Sequence, residues 1–177
     1  LKPVRKTGEN NQYRYADDDL FYRGIVFNSD GTTAFIHVYL ATSPGTNYLW
    51  KFTLDTPYIL PTATRVQTVT LSTNGGYLGS LRMSPDGTTF QMCTSSAILQ
   101  VEFATGFDLT STKTETVITS VCDPSTNSYT RMGVFNSDGT KYYAFPSTGT
   151  AIKVFDLSTA YDLSTGVTAG TDITSIS

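Results

Sequence analysis

Histidine and tryptophan each occur once in these 177 residues, cysteine twice, and only 15% of the residues are charged. Each scarcity removes a class of function. Zinc sites draw on clustered His and Cys ligands at short spacings, and no such cluster occurs. Nucleophilic hydrolysis needs an activated Ser or Cys beside a base. Serines are abundant, but no Gly-x-Ser-x-Gly elbow is present. The single histidine, His37, lies in the apolar run Phe35-Ile36-His37-Val38-Tyr39, the setting of a bonded strand histidine. The net charge of −3 leaves no electrostatic footprint for nucleic acid. Lys2, Arg5, Lys6, Arg14 and Arg23 gather near the start, but Glu9 and Asp17-Asp18-Asp19 sit among them, so that segment reads as a solvated arm. No apolar run approaches the length of a membrane span, and no signal-peptide pattern is present. The chain opens at Leu1 and not at a methionine, which suggests a processed product or part of something longer. Sustained 3.6-residue periodicity is also missing, so almost no helix is expected.

What remains is Thr, Ser, Gly, Tyr and Phe, a mixture that favours strands joined by tight turns. The strands repeat. A polar turn recurs as Phe27-Asn28-Ser29-Asp30-Gly31-Thr32, Met83-Ser84-Pro85-Asp86-Gly87-Thr88 and Phe135-Asn136-Ser137-Asp138-Gly139-Thr140. A distal element recurs as Leu54-Asp55-Thr56-Pro57-Tyr58, Phe103-Ala104-Thr105-Gly106-Phe107-Asp108-Leu109 and Asp156-Leu157-Ser158-Thr159 followed by Tyr161-Asp162-Leu163. A period of roughly 50 residues signals a solenoid, propeller or array. Each Asp-Gly pair stands between two apolar runs, a strong hairpin signal. Gly31, Gly87 and Gly139 supply the positive φ the turn requires, while Asp30, Asp86 and Asp138 bond the local backbone as turn residues.

The expected strands are Phe21–Phe27, Thr33–Ala41, Asn47–Leu54 and Arg65–Ser72 in the first repeat. The second has Tyr77–Met83, Thr88–Thr94, Ala97–Phe103 and Thr114–Val121. The third has Arg131–Phe135, Thr140–Phe145, Thr150–Leu157 and a weaker Val167–Ile176. Repeat boundaries fall at 21–75, 76–128 and 129–177, after a polar arm over 1–20. Pro57 and Pro61 keep the intervening loop out of the sheet. Cys93 and Cys122 fall on the second and fourth strands of one sheet. Two strand spacings, about 9.5 Å, exceed the reach of a disulfide, so both thiols are expected free, as in a protein made in a reducing cytosol.

Four antiparallel strands per repeat of this length describe a β-propeller blade. The Ser-Pro-Asp-Gly-Thr turn resembles blades found in many bacterial and viral propeller proteins. Phe155–Thr165, with its two Asp-Leu-Ser-Thr segments around an aromatic, resembles a variant seen in secreted proteins of environmental bacteria and in phage tail and fibre components. The resemblance covers residues 21–176. It implies an all-β fold of three four-stranded blades, with a β-sandwich as the alternative. Propellers close with four to eight blades, so three need completion. Ala34–Leu40, Tyr48–Leu54, Tyr142–Phe145 and Ile152–Leu157 carry large residues at successive positions, as strands covered on both faces do. The expected partner is a second copy closing a six-bladed ring, or further blades from a longer chain or another protein.

Other chemistry finds little support. Asp17-Asp18-Asp19 lacks calcium-loop spacing, and no cofactor or metal is expected. The carboxylates Asp55, Glu102, Asp108, Glu115, Asp123, Asp156 and Asp162 would have to converge from different blades to form a glycosidase pair. Aromatic faces suit sugar stacking, which makes Trp50, Tyr58, Phe107 and Tyr161 candidate ligand residues, with Tyr48 and Tyr129 beside them. Tyr58, Phe107 and Tyr161 recur in register, which packing beneath each repeat's own loop explains equally well. The functional expectation is a non-enzymatic structural or adhesion module of a virion or another extracellular assembly. The alternatives are a propeller lectin and a propeller hydrolase or lactonase.

Overall fold

The computed structural model describes residues 20–41, 45–72, 80–93, 97–119, 121, 130–146 and 151–174. The arm over 1–19, Cys122, Asp123, Tyr129 and the junctions between repeats lie outside them. The twelve strands are β1 (Leu20–Phe27), β2 (Thr33–Leu40), β3 (Thr46–Leu54), β4 (Ala63–Leu71), β5 (Leu81–Met83), β6 (Thr89–Cys93), β7 (Ile98–Phe103), β8 (Lys113–Ile118), β9 (Thr130–Phe135), β10 (Lys141–Pro146), β11 (Lys153–Leu157) and β12 (Val167–Ala169). They form three four-stranded antiparallel sheets, β1-β2-β3-β4, β5-β6-β7-β8 and β9-β10-β11-β12. Each sheet is one repeat, as expected of propeller blades. The one helical element among the described residues is a single 3-10 turn, Leu60–Thr62, started by Pro61.

Expectation and structure part at β5, which begins at Leu81 with Ser80 outside it; the expected start at 77–79 lies outside the described residues. They part also at β11, which begins at Lys153, and most of all at the outermost strands. β8 ends at Ile118, short of Val121, and β12 spans only three residues before a lone bridge joins Ile152 to Ile173. Gly170 and the Thr-rich tail give that last strand few side chains to pack. Cys93 ends β6 as a buried free thiol, and burial pushes its pKa up, against a hydrogen bond from the Ser80 hydroxyl (3.4 Å).

The sheets pack face to face, and the cores lie between them. Phe35, Leu49 and Leu71 of the first blade meet Leu81, Phe90, Met92, Leu99, Val101, Phe103 and Leu109 of the second. Cys93, Ile98 and Ile118 of the second meet Tyr142, Ala144, Leu157 and Leu163 of the third. The middle blade is therefore apolar on both faces, which is why its strands lack alternation. At Gly24 the first two blades approach closely, since a Cβ there would lie 2.8 Å from Leu81.

Candidate functional site

The repeated turn and the repeated distal loop form one local unit. At the turn, Gly31, Gly87 and Gly139 take φ of +73°, +69° and +74°. Asp30 Oδ1 accepts from the Thr32 amide (2.8 Å) and hydroxyl (2.6 Å), and Asp138 accepts from Thr140 in the same way. These bonds hold both carboxyls below their usual pKa. At Asp86 burial works against the shift, but bonds from Ser84 and Thr88 outweigh it.

Against each turn glycine lies an aromatic ring. A Cβ on Gly31, Gly87 or Gly139 would fall within 2.4 Å of Tyr58, Phe107 or Tyr161. The three aromatics have φ of 62°, 60° and 62°, a left-handed conformation that ordinary residues avoid at a cost of roughly 1–2 kcal/mol. Their amides donate to the carbonyls of Gly31 (3.0 Å), Gly87 (2.9 Å) and Gly139 (2.9 Å), which secures that conformation. We call this element the plug.

Two plugs dock on the preceding blade. Lys51 Nζ on β3 donates to the Phe107 carbonyl (2.7 Å), and Phe107 stacks with Phe35. Gln67 on β4 spans the next two residues. Its Nε2 donates to Asp108 Oδ1 (3.0 Å), and its Oε1 accepts from the Leu109 amide (3.0 Å). One blade further on, Gln91 Nε2 donates to the Tyr161 carbonyl (2.7 Å). Gln100 Nε2 donates to Asp162 Oδ1 (2.7 Å), and its Oε1 accepts from the Leu163 amide (2.9 Å). Each socket is one row across a sheet: Phe35, Lys51 and Gln67 in the first blade, Gln91 and Gln100 in the second. Sequence reasoning passed over these polar residues. For Lys51, Gln91 and Gln100 the signal is a polar side chain between apolar neighbours, whereas Gln67 stands in a Thr-rich strand and gives none.

The predicted ligand aromatics therefore do not converge. Tyr58, Phe107 and Tyr161 belong to separate plugs. Trp50 contacts Tyr22 and Phe52 and lies under the Arg65 guanidinium, 4.3 Å from its ring centroid.

The acid–base candidates are dispersed as well. His37 is fully buried, 3.0 Å from Asn47 Oδ1. Desolvation lowers its pKa to about 4, with the Arg23 charge adding to the shift and Asn47 opposing it. Glu115 is bonded to Lys113 and Ser72, Asp156 to Lys141, and Glu102 to Gln100. Asp108 and Asp162 also bond within their own loops, to Thr110 and to Ser164 and Thr165, while Asp55 is exposed. Among the described residues no cluster of His, Cys, Asp and Glu could hold a metal.

Comparison with known proteins bears on the fold. No family model and no curated protein matches this chain. Four chains of solved structures do, among them two from Bacteroides species. One is a proposed 6-phosphogluconolactonase from Bacteroides fragilis, with a TM-score of 0.54 and 21% identity over 86% of this chain. The other is a proposed 6-phosphogluconolactonase from Bacteroides uniformis, with a TM-score of 0.51 and 13% identity over 88% of this chain. At these identities the likeness shows the propeller-type fold alone. The chain spans 39% of the first protein's length and 55% of the second's.

Proposed function

We propose that this chain is a non-enzymatic structural or adhesion module that binds through the loops and faces of its blades. The observation carrying this reading is the commitment of its reactive groups. His37 is bonded to Asn47 in the core, and Asp30, Asp86, Asp108, Asp138 and Asp162 are tied up in turns and plugs. A virion or extracellular setting rests on the resemblance of the Asp-Leu-Ser-Thr segments. The second reading is a lactonase, favoured by the names of the two fold neighbours.

A pH-stat assay with a phosphorylated sugar δ-lactone tests the choice. The expected result is hydrolysis at the spontaneous rate, with or without added divalent metal. Metal-dependent turnover would overturn the module reading. Titration of a glycan panel against Trp50 fluorescence tests for a lectin, since Trp50 is half-buried beneath Arg65 and its emission would report a sugar displacing that cation.

A further inference from the structure

The three blades occupy equivalent positions, yet their burial differs in a directional way. On the leading side, Ile25 of the first blade is 40% exposed, while its counterpart Leu81 in the second is 1% exposed. Ile36, Trp50 and Phe52 are half-buried, whereas their counterparts Met92, Leu99 and Val101 are fully buried. The trailing side shows the reverse. His37 and Cys93 are 0% and 4% exposed, but Phe145, at the same register in the third blade, is 38% exposed. Val134 and Ile173 of the third blade are also exposed, beside Tyr143 and Ile152. Two partly open apolar faces result, one at each end of the wedge, although Ala34 and Val38 on the first and Val154 on the last are themselves buried.

The plug and socket at those ends match in chemistry. Leu109 and Leu163 are 3% and 1% exposed in their sockets, but Leu60, their counterpart in the first blade, is 44% exposed. Where the docked plugs carry Asp108 and Asp162, the free plug carries Ile59, also exposed. The third blade's socket has changed to suit. Val154 replaces Lys51 and Gln100, and Gly170 takes the place of Gln67. Tyr143 stands where Gln91 does and keeps a donor for the plug carbonyl. Inside the wedge an acidic plug meets an amide. At the ends an apolar plug awaits an apolar socket, and a carboxylate there would be buried without a partner.

We propose that the partner is a second copy of this chain. The Tyr58-Ile59-Leu60 plug of each copy docks on the Tyr143–Val154 socket of the other, and a two-fold closes a six-bladed ring. The two new junctions continue the two blade–blade interfaces already present in each chain. Six blades fall within the range in which propellers close, and a two-fold pair is the commonest closed assembly. This inference goes beyond the module reading. Self-association and lactone hydrolysis are measured separately, so either can fail alone.

Native mass spectrometry and sedimentation of the 177-residue chain test it, with variants at each end. The expected mass is twice that of the 19.3 kDa chain, with no higher ladder. Ile59→Asp and Phe145→Asp alter exposed side chains, so both should melt like wild-type monomer yet weaken the dimer about tenfold or more. Adding Val154→Gln to Ile59→Asp should recover most of that loss by rebuilding the amide–carboxylate clamp. A wild-type monomer, an open ladder of masses, or a dimer indifferent to both end variants would each overturn the proposal.

Discussion

The plug of the first blade and those of the other two have one shape and two fates. All three hold their aromatic at φ near 60° and bond its amide to the turn glycine at about 3 Å. Yet Leu109 and Leu163 are buried and Leu60 is not. The shape is therefore made within each blade, by the Asp-Gly turn and the ring laid over it, and needs no neighbour. Burial alone comes from the blade in front. A preformed plug loses little conformational freedom on docking, so such blades can be joined end to end within one chain or between chains by the same contact.

Removing the leucine at the tip of each plug breaks the comparison most sharply. Leu163→Ala should destabilise the fold by about 2–5 kcal/mol, the usual loss for a buried leucine. Leu60→Ala in dilute monomer should cost under about 0.5 kcal/mol, as exposed substitutions do. Urea unfolding followed by circular dichroism reads both. Equal costs would mean that the first plug is already covered.

The next effect comes from His37, which shares its register with buried Cys93 and open Phe145. Its folded pKa of about 4 lies below the unfolded value of 6.5. Above pH 6.5 both states are neutral and nothing is lost. As the pH falls from 6.5 toward 4, the unfolded chain takes up the proton first. Stability then drops by about 1.4 kcal/mol per pH unit, about 3 kcal/mol across the window. His37→Gln should flatten the stability profile over that range and leave the carboxylate-driven loss at lower pH in place. An unchanged slope would show that His37 is not sealed beneath the second blade.

How much of this was legible follows from how local each feature is. The Asp-Gly turns could be read because Gly31, Gly87 and Gly139 and the aspartates before them act within five residues. Strand positions followed from apolar runs to within a residue or two for most strands, while β8 and β12, where packing on one side is thin, ended well short and β11 began at Lys153. The left-handed backbone at Tyr58, Phe107 and Tyr161 was not legible, since no propensity places an aromatic there; it is imposed by the ring and the glycine together. Lys51, Gln67, Gln91 and Gln100 were missed for a different reason. Their partners lie 41 to 70 residues away, in the next blade, and only the topology brings them together. Aromatic recurrence was visible, but it marked three separate plugs, two of them docked on the preceding blade.

The smallest effect lies within the plugs themselves. Tyr58 and Tyr161 donate their hydroxyls to the carbonyls of Ser29 and Ser137, each at 2.7 Å. The middle repeat has Phe107 facing Pro85, so its plug lacks this bond yet holds the same φ. The hydroxyl is therefore an addition to a plug that the ring and the amide already secure. Both donor and acceptor lie near solvent, where water replaces a lost partner at little cost. Tyr161→Phe should lower stability by under about 1 kcal/mol and leave the docking of Leu163 intact, read as unchanged amide exchange protection at Leu163. Tyr161→Ala removes the ring over Gly139 and should lose that protection as well. If Tyr161→Phe alone exposed the Leu163 amide, the hydroxyl would be holding the plug in place, and Phe107 would have to be secured by Lys51 and Gln67 in its stead.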